Sequence, residues 1–182
     1  MKPHFIKMLA FILSASLLFS CTSCSSRTYD LPLDQFKGSD GEYKLNEIEW
    51  TSSLDEVKEA LPYGFEEVET PHEREWQYNS KKSFQLDSYS APMELLFKED
   101  GLFSVQFNFT LNDDYEEWFD TQVERLIKLY GQESEHVEKV FDDNMKNRGY
   151  RWDTEKTSLQ IVVLLREGHD PICTIHIVDK TR

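Results

Sequence analysis

The alternation of apolar and polar residues divides the chain into helical and extended stretches. In "EWTSSLDEVKEALPYG", Leu54, Val57 and Leu61 recur at i, i+3 and i+7, which is one helical stripe. Ser53 with Glu56 three residues later forms a capping box at its start. Pro62 ends it, because proline cannot continue the hydrogen-bond ladder. Trp50, just ahead of the cap, is placed to fold back onto the core. Extended segments follow in "EWQYN" (75–79), "SFQLDSY" (83–89) and "MELLFKEDGLFSVQFNF" (93–109). The "EDG" at 99–101 marks a hairpin turn in the last of these. In its second arm Phe103, Val105, Phe107 and Phe109 alternate with Ser104, Gln106 and Asn108, giving one buried face and one wet face.

A second helix is predicted over "NDDYEEWFDTQVERLIKLYG", with Asn112 or Asp113 as its cap. Acidic residues fill the first turn, where the helix dipole favours them. Tyr115, Phe119, Val123, Leu126 and Tyr130 form its stripe, and Gly131 stands where a left-handed C-terminal cap belongs. Strands then return in "HVEKVF", "GYRWDT" and the hairpin "TSLQIVVLLREGHDPICTIHIVD", which turns around Glu167 to Pro171. The order is helix, strands, helix, strands, a candidate tandem repeat at the level of elements. It predicts an α+β two-layer sandwich, with two helices on one face of an antiparallel meander sheet.

The start of the chain has a different pattern. "MKPHFIK" carries two lysines and no acid, and "MLAFILSASLLFS" then runs uncharged from Met8 to Ser20. A basic start followed by an apolar run of this length predicts a signal peptide over 1–20; a membrane-spanning helix needs about 20 apolar residues. The run ends in "LFSC". An aliphatic Leu18 three residues before Cys21 and a small Ser20 directly before it resemble the lipobox of bacterial lipoproteins, although Phe19 stands where small residues are commoner. The resemblance implies that Cys21 carries a diacylglyceryl thioether and becomes the mature N-terminus, with palmitate-type acylation holding the protein to a membrane on its extracytoplasmic side. Two or three acyl chains anchor stably where one is marginal. The C-x-x-C of Cys21 and Cys24 lacks both the surrounding βαβ unit of a redox motif and the second cysteine pair of a structural zinc site. Cys173 stands far from both, so no disulfide framework is evident.

Residues 22–44 are rich in Ser, Asp, Gly and Lys and show no apolar period. They read as a lipidated N-terminus and flexible tether over 21–44, with an end-to-end distance of about 25 Å. A single domain then covers 45–182.

Charge narrows the partners. The chain has 20 basic and 34 acidic residues, and loss of Lys2 and Lys7 with the signal leaves a mature charge of −16. Such a surface disfavours nucleic acid and any basic-patch attachment to anionic lipid, and favours a basic protein partner or simple solubility.

"WTSSLDEVKEAL", "DGLFSVQFNF", "LIKLYG" and the Trp-led aliphatic strands resemble small secreted or lipid-anchored bacterial proteins with the architecture of the β-lactamase inhibitor protein. The SmpA/OmlA outer-membrane assembly lipoproteins share a related layout. The resemblance implies a fold whose exposed sheet face binds another protein. The cysteine pairs of the inhibitor protein's disulfides are missing, and no functional residue is carried across.

Chemistry is sparse in the pattern. No G-x-S-x-G elbow, P-loop, G-x-G-x-x-G or H-E-x-x-H spacing occurs, and no cofactor or metal set is predicted. His72, His136, His169 and His176 lack partners at ligand spacing, and "DDNMKNRG" lacks the twelfth-position acid of a calcium loop. In the last hairpin both parities are apolar. Leu159, Ile161, Val163 and Leu165 fall on one face with Cys173, Ile175 and Ile177. If helices cover that set, Val162, Leu164, Ile172, His176 and Val178 form a semi-apolar patch on the open face, a candidate partner site or a surface covered by another segment. The expectation is a lipid-anchored, non-enzymatic protein-binding domain of the cell envelope, inhibitor-like, immunity-like or structural. The alternatives are a hydrolase using a carboxylate and a histidine, and a small-ligand-binding lipoprotein.

Overall fold

The computed structural model describes residues 28–70, 75–142 and 144–182. The segment 1–20 expected to be a signal peptide, Cys21, Cys24 and His72 lie outside the described residues.

Strand β1 (Tyr29–Asp30) precedes helix α1 (Leu54–Ala60), which is followed by β2 (Phe65–Val68), β3 (Trp76–Leu86), β4 (Tyr89–Lys98) and β5 (Gly101–Thr110). Helix α2 (Tyr115–Tyr130) then leads into β6 (Glu135–Asp142), β7 (Met145–Asp153), β8 (Thr157–Arg166) and β9 (Ile172–Asp179). Both halves therefore read helix, then four strands. All nine strands join one sheet, ordered β1-β3-β4-β5-β9-β8-β7-β6, with β2 also paired to β3. Pairing is antiparallel except between β1 and β3. The class is the α+β sandwich expected, but the sheet is two meanders joined by their last strands. Phe107 of β5 lies opposite Ile175 of β9 at the seam.

The pattern explains the elements. Ser53 Oγ accepts from Glu56 N while Glu56 Oε2 accepts from Ser53 N, closing the capping box of α1. Leu61 is extended at the helix end, as a residue before proline must be. Asp114, rather than Asn112 or Asp113, takes the N-cap position of α2, and it makes no side-chain cap bond. Gly131 ends α2 at φ 88°. Gly101, at φ 115°, turns the β4–β5 hairpin so close to Thr51 that a Cβ would lie 2.2 Å from its carbonyl oxygen. The two extended segments foreseen at 75–79 and 83–89 are largely one strand, β3, irregular between Asn79 and Ser83; Tyr89 begins β4.

One face of the sheet holds the core. Ala91, Met93, Leu95, Val105, Phe107, Phe109, Leu159, Ile161, Val163, Cys173, Ile175 and Ile177 are all buried there. Helix α2 covers this face with Phe119, Val123 and Leu126; its Trp118 ring packs 5.9 Å from Phe109 and its Phe119 ring 6.2 Å from Tyr150. Helix α1 lies on the same side, where the Lys58 ammonium sits 6.0 Å from the centre of the Tyr78 ring and Tyr78 stands opposite Leu95. Gln122, fully buried on α2, donates to Asp87 Oδ2 at 2.8 Å, and Arg125 pairs with the same carboxylate. These contacts tie α2 to the turn between β3 and β4.

The flexible tether expected over 21–44 does not describe its second part. From Tyr29 onward the segment is part of the fold: Leu31, Leu33, Phe36, Tyr43 and Lys44 are buried. The Phe36 ring stacks 6.4 Å from Phe107, and Tyr43 N donates to Thr157 Oγ1 at 2.7 Å. Tyr130 hydroxyl donates to the Leu33 carbonyl. The apolar residues here are irregularly spaced and held by individual contacts, so no period announces them. Buried Lys44 is neutralised by Asp40 and Glu49, each 2.9 Å away.

Candidate functional site: the open face of the sheet

Because side chains alternate along a strand, the residues between the core positions share the face that the helices leave uncovered. The five patch residues read from the sequence all fall there, but they do not form one patch. Leu164 lies opposite Ile172 and Val162 opposite Thr174, at one end of the β8–β9 pair. Val178 lies opposite Ser158 at the other end, and Gln160 and His176 separate the two. The apolar part is thus a trio, Val162, Leu164 and Ile172, of which Ile172 is 39% exposed. Asn147 of β7 stands opposite Leu164, and its buried Oδ1 has no hydrogen-bond partner among the described residues. An acceptor left unpaired in a partly dry setting costs free energy until a donor reaches it.

His176 belongs to a polar seam. Its Nε2 lies 2.8 Å from Ser104 Oγ on β5. Burial disfavours the imidazolium and pushes the histidine down to about 4, so the ring is neutral at pH 7. A serine beside a neutral histidine has the elements of a nucleophile and its base. Here Ser104 is only 1% exposed, so no substrate carbonyl can reach its Oγ, and the pair acts as a cross-strand latch between the two halves.

Beyond the seam, Glu94 on β4 organises the open face of the first half. Gln106 Nε2 and Gln77 Nε2 donate to its Oε2 at 2.8 and 3.1 Å, and Asn108 Nδ2 donates to Oε1 at 2.9 Å. Thr174 Oγ1 extends the chain by donating to Asn108 Oδ1 at 2.6 Å. The alternation of Ser104, Gln106 and Asn108 pointed to a wet face. The convergence on Glu94 was hidden because its members come from three strands whose register no local pattern fixes.

The remaining sequence candidates stay apart. His136 stacks on Tyr150 with ring centroids 4.6 Å apart and planes 5° from parallel. His169 sits in the exposed β8–β9 turn. Cys173 is buried on the core face, and its burial pushes the thiol well above its ordinary range, away from the reactive thiolate. Among the described residues no three His, Cys, Asp or Glu side chains are placed to hold a metal ion, and no helix is long and apolar enough to cross a membrane. A separate cavity of about 360 Å³ lies beside α1, with Leu54, Trp76, Tyr78 and Phe97 in its wall. No family model, no curated protein and no solved structure matches this chain.

Proposed function

We propose that the protein is anchored by lipid on Cys21 to the extracytoplasmic side of a membrane and binds another protein through the open face of its second half. The observation that carries this is the open-face trio of half-buried Val162 and Leu164 with exposed Ile172, beside Asn147 Oδ1, which has no hydrogen-bond partner among the described residues. Apolar area flanked by a waiting acceptor suits a partner that brings an aliphatic or aromatic anchor and a hydrogen-bond donor. With a mature charge of −16, a basic partner is favoured by long-range attraction. An inhibitor-like, immunity-like or envelope-structural role follows from such binding, and the resemblance to lipid-anchored and inhibitor-type domains agrees with it.

A photocrosslinking residue at position 164 tests the face directly in cells. One discrete adduct, resolved by mass and absent when the crosslinker replaces the exposed Lys128 of α2, is the expected result. Equal adducts from both faces, or none from position 164, overturn it. Cys21→Ala is expected to abolish labelled-palmitate incorporation and to release the protein from the membrane fraction; label that persists overturns the anchor.

The aromatic-walled cavity beside α1 favours a second reading, capture of a small molecule. Its test is a fragment screen by NMR. Shifts gathered at the Trp76 indole support capture, and shifts that leave the indole unmoved discard it.

A further inference from the structure

We infer that the corner formed by β1, the irregularity of β3 and the Tyr63–Gly64 turn rests against lipid headgroups, so that the β6 edge and the Val162, Leu164 and Ile172 trio point away from the membrane. This rests on the reading of Cys21 as the anchor. It adds an orientation that the anchor alone does not specify.

Two lengths carry the inference. Tyr29 is pinned in the sheet opposite Phe84. Only seven residues lie between it and Cys21, eight residue-to-residue steps along the chain. Whatever their conformation, they span at most about 28 Å, and as a flexible coil about 15 Å. From β1 to β6 the sheet makes seven strand-to-strand steps, which at the usual spacing is about 34 Å. The anchor point therefore lies near the β1 edge and cannot be carried to the β6 edge. A tether running to residue 44 would have set no such limit.

The charge at the corner turns proximity into orientation. Lys81 is exposed and Lys82 half-buried at the irregular part of β3, between the stretch paired with β2 and the stretch paired with β1. The Lys81 side chain passes over Gly64, and Lys81 N donates to the Gly64 carbonyl at 2.9 Å. Asp30 of β1 opposes them, and Glu66 and Glu67 of β2 run away along β3 toward Gln77. A chain that is strongly acidic overall thus has a basic corner where it approaches its anchor, and each lysine near an anionic surface is worth about a fivefold gain in association at low salt. The rings of Tyr29 and Tyr63 meet edge-on at 5.0 Å in the same corner, and both are half-buried. Amphipathic rings of this kind suit the headgroup zone.

The test uses the full-length acylated protein in vesicles of phosphatidylcholine and phosphatidylglycerol. Cys24→Ser leaves buried Cys173 unlabelled, and a nitroxide is placed at Asp30→Cys or at Lys139→Cys on β6. Relaxation by a nickel chelate on lipid headgroups is expected to be several-fold stronger at position 30. Equal relaxation, or stronger relaxation at position 139, overturns the orientation. Lys81→Glu with Lys82→Glu is expected to narrow the difference on these vesicles and to leave it unchanged on phosphatidylcholine alone; an unaltered difference on both overturns the part given to the lysines. Intact mass separates the two levels. Acylated protein with equal relaxation defeats the orientation alone, whereas unmodified Cys21 defeats anchor and orientation together.

Discussion

On the open face of the first half, every amide that reaches Glu94 already has its acceptor: Gln77, Gln106 and Asn108 donate to one carboxylate, and Thr174 donates to Asn108. On the open face of the second half, Val162, Leu164 and Ile172 stand beside an acceptor, Asn147 Oδ1, that has no hydrogen-bond partner among the described residues. The two halves have the same order of elements and share one buried layer, yet their outer surfaces are in opposite energetic states. A partner settling on the first would disturb three hydrogen bonds to a charged group, each stronger than a neutral one. A partner settling on the second would cover apolar area and supply a missing donor. Self-sufficiency on one side and unspent interactions on the other separate the half proposed for binding from its counterpart more sharply than hydrophobicity alone.

The largest effect should come from the layer that the halves share. Phe107 is fully buried, touches the rings of Phe36 and Phe84, and faces Ile175 across the seam. Phe107→Ala is expected to cost about 3–5 kcal/mol. Calorimetry should show one transition moving down as a unit. If β6–β9 melted separately, the halves would be two folding units and their comparison would lose its common base.

The degree to which this was legible in the sequence follows from the range of each interaction. Both helices, the "EDG" hairpin and the last hairpin were readable because their signals lie within one element: Ser53 with Glu56, the stripe through Phe119 and Leu126, the alternation through Phe107. The five open-face candidates were placed on the correct face by parity alone. What parity could not give was register, so His176 looked like a member of an apolar patch when Ser104 holds it in a polar seam. Nor could periodicity reveal that residues 29–44 are folded. Phe36 and Tyr43 are fixed by Phe107 and Thr157, far away in the chain. The β2 strand, "FEEV", was missed because four residues with two central acids carry no alternation.

The next effect tests whether the first half's open face is held by its own network. Glu94→Ala strands the amides of Gln77, Gln106 and Asn108 and is expected to cost about 2–3 kcal/mol in chemical denaturation. Glu94→Gln should cost less, since an amide oxygen still accepts. A loss below about 0.5 kcal/mol for the alanine variant, the range of ordinary surface changes, would mean that water replaces the network and that the two open faces do not differ in self-sufficiency.

The seam gives a smaller, pH-dependent effect. The folded histidine at position 176 titrates at about 4, whereas an unfolded one titrates near 6.5. Between these values the unfolded chain binds the extra proton, so stability is full above about 6.5 and is lost as pH falls toward 4. From pH 7 to pH 5 the loss is on the order of 2 kcal/mol. His176→Gln removes this contribution and leaves the carboxylates in place. The stability advantage of the parent over the variant should shrink on acidification, as measured by paired melts at pH 7 and pH 5. A constant difference would place His176 in solvent and dissolve the seam.

The smallest stability effect is expected at the site proposed for binding, and its smallness is informative. Leu164 is half-buried on the open face, while its neighbours Val163 and Leu165 point to the helix side. Leu164→Asp removes apolar area that the fold itself only partly uses, so stability should change by less than about 1 kcal/mol. Partner adducts formed through a crosslinker at Ile172 should nevertheless fall steeply, because a carboxylate would then have to be desolvated in the contact. The matched change on the other half, Gln106→Asp, sets a second carboxylate beside Glu94 and should do the reverse, destabilising the fold while leaving the adduct. If Leu164→Asp instead unfolds the protein, Leu164 is a core residue, and the open face of the second half serves the fold's own packing no less than that of the first. If both substitutions leave the adduct intact, the partner touches neither half, and the difference between them concerns folding alone.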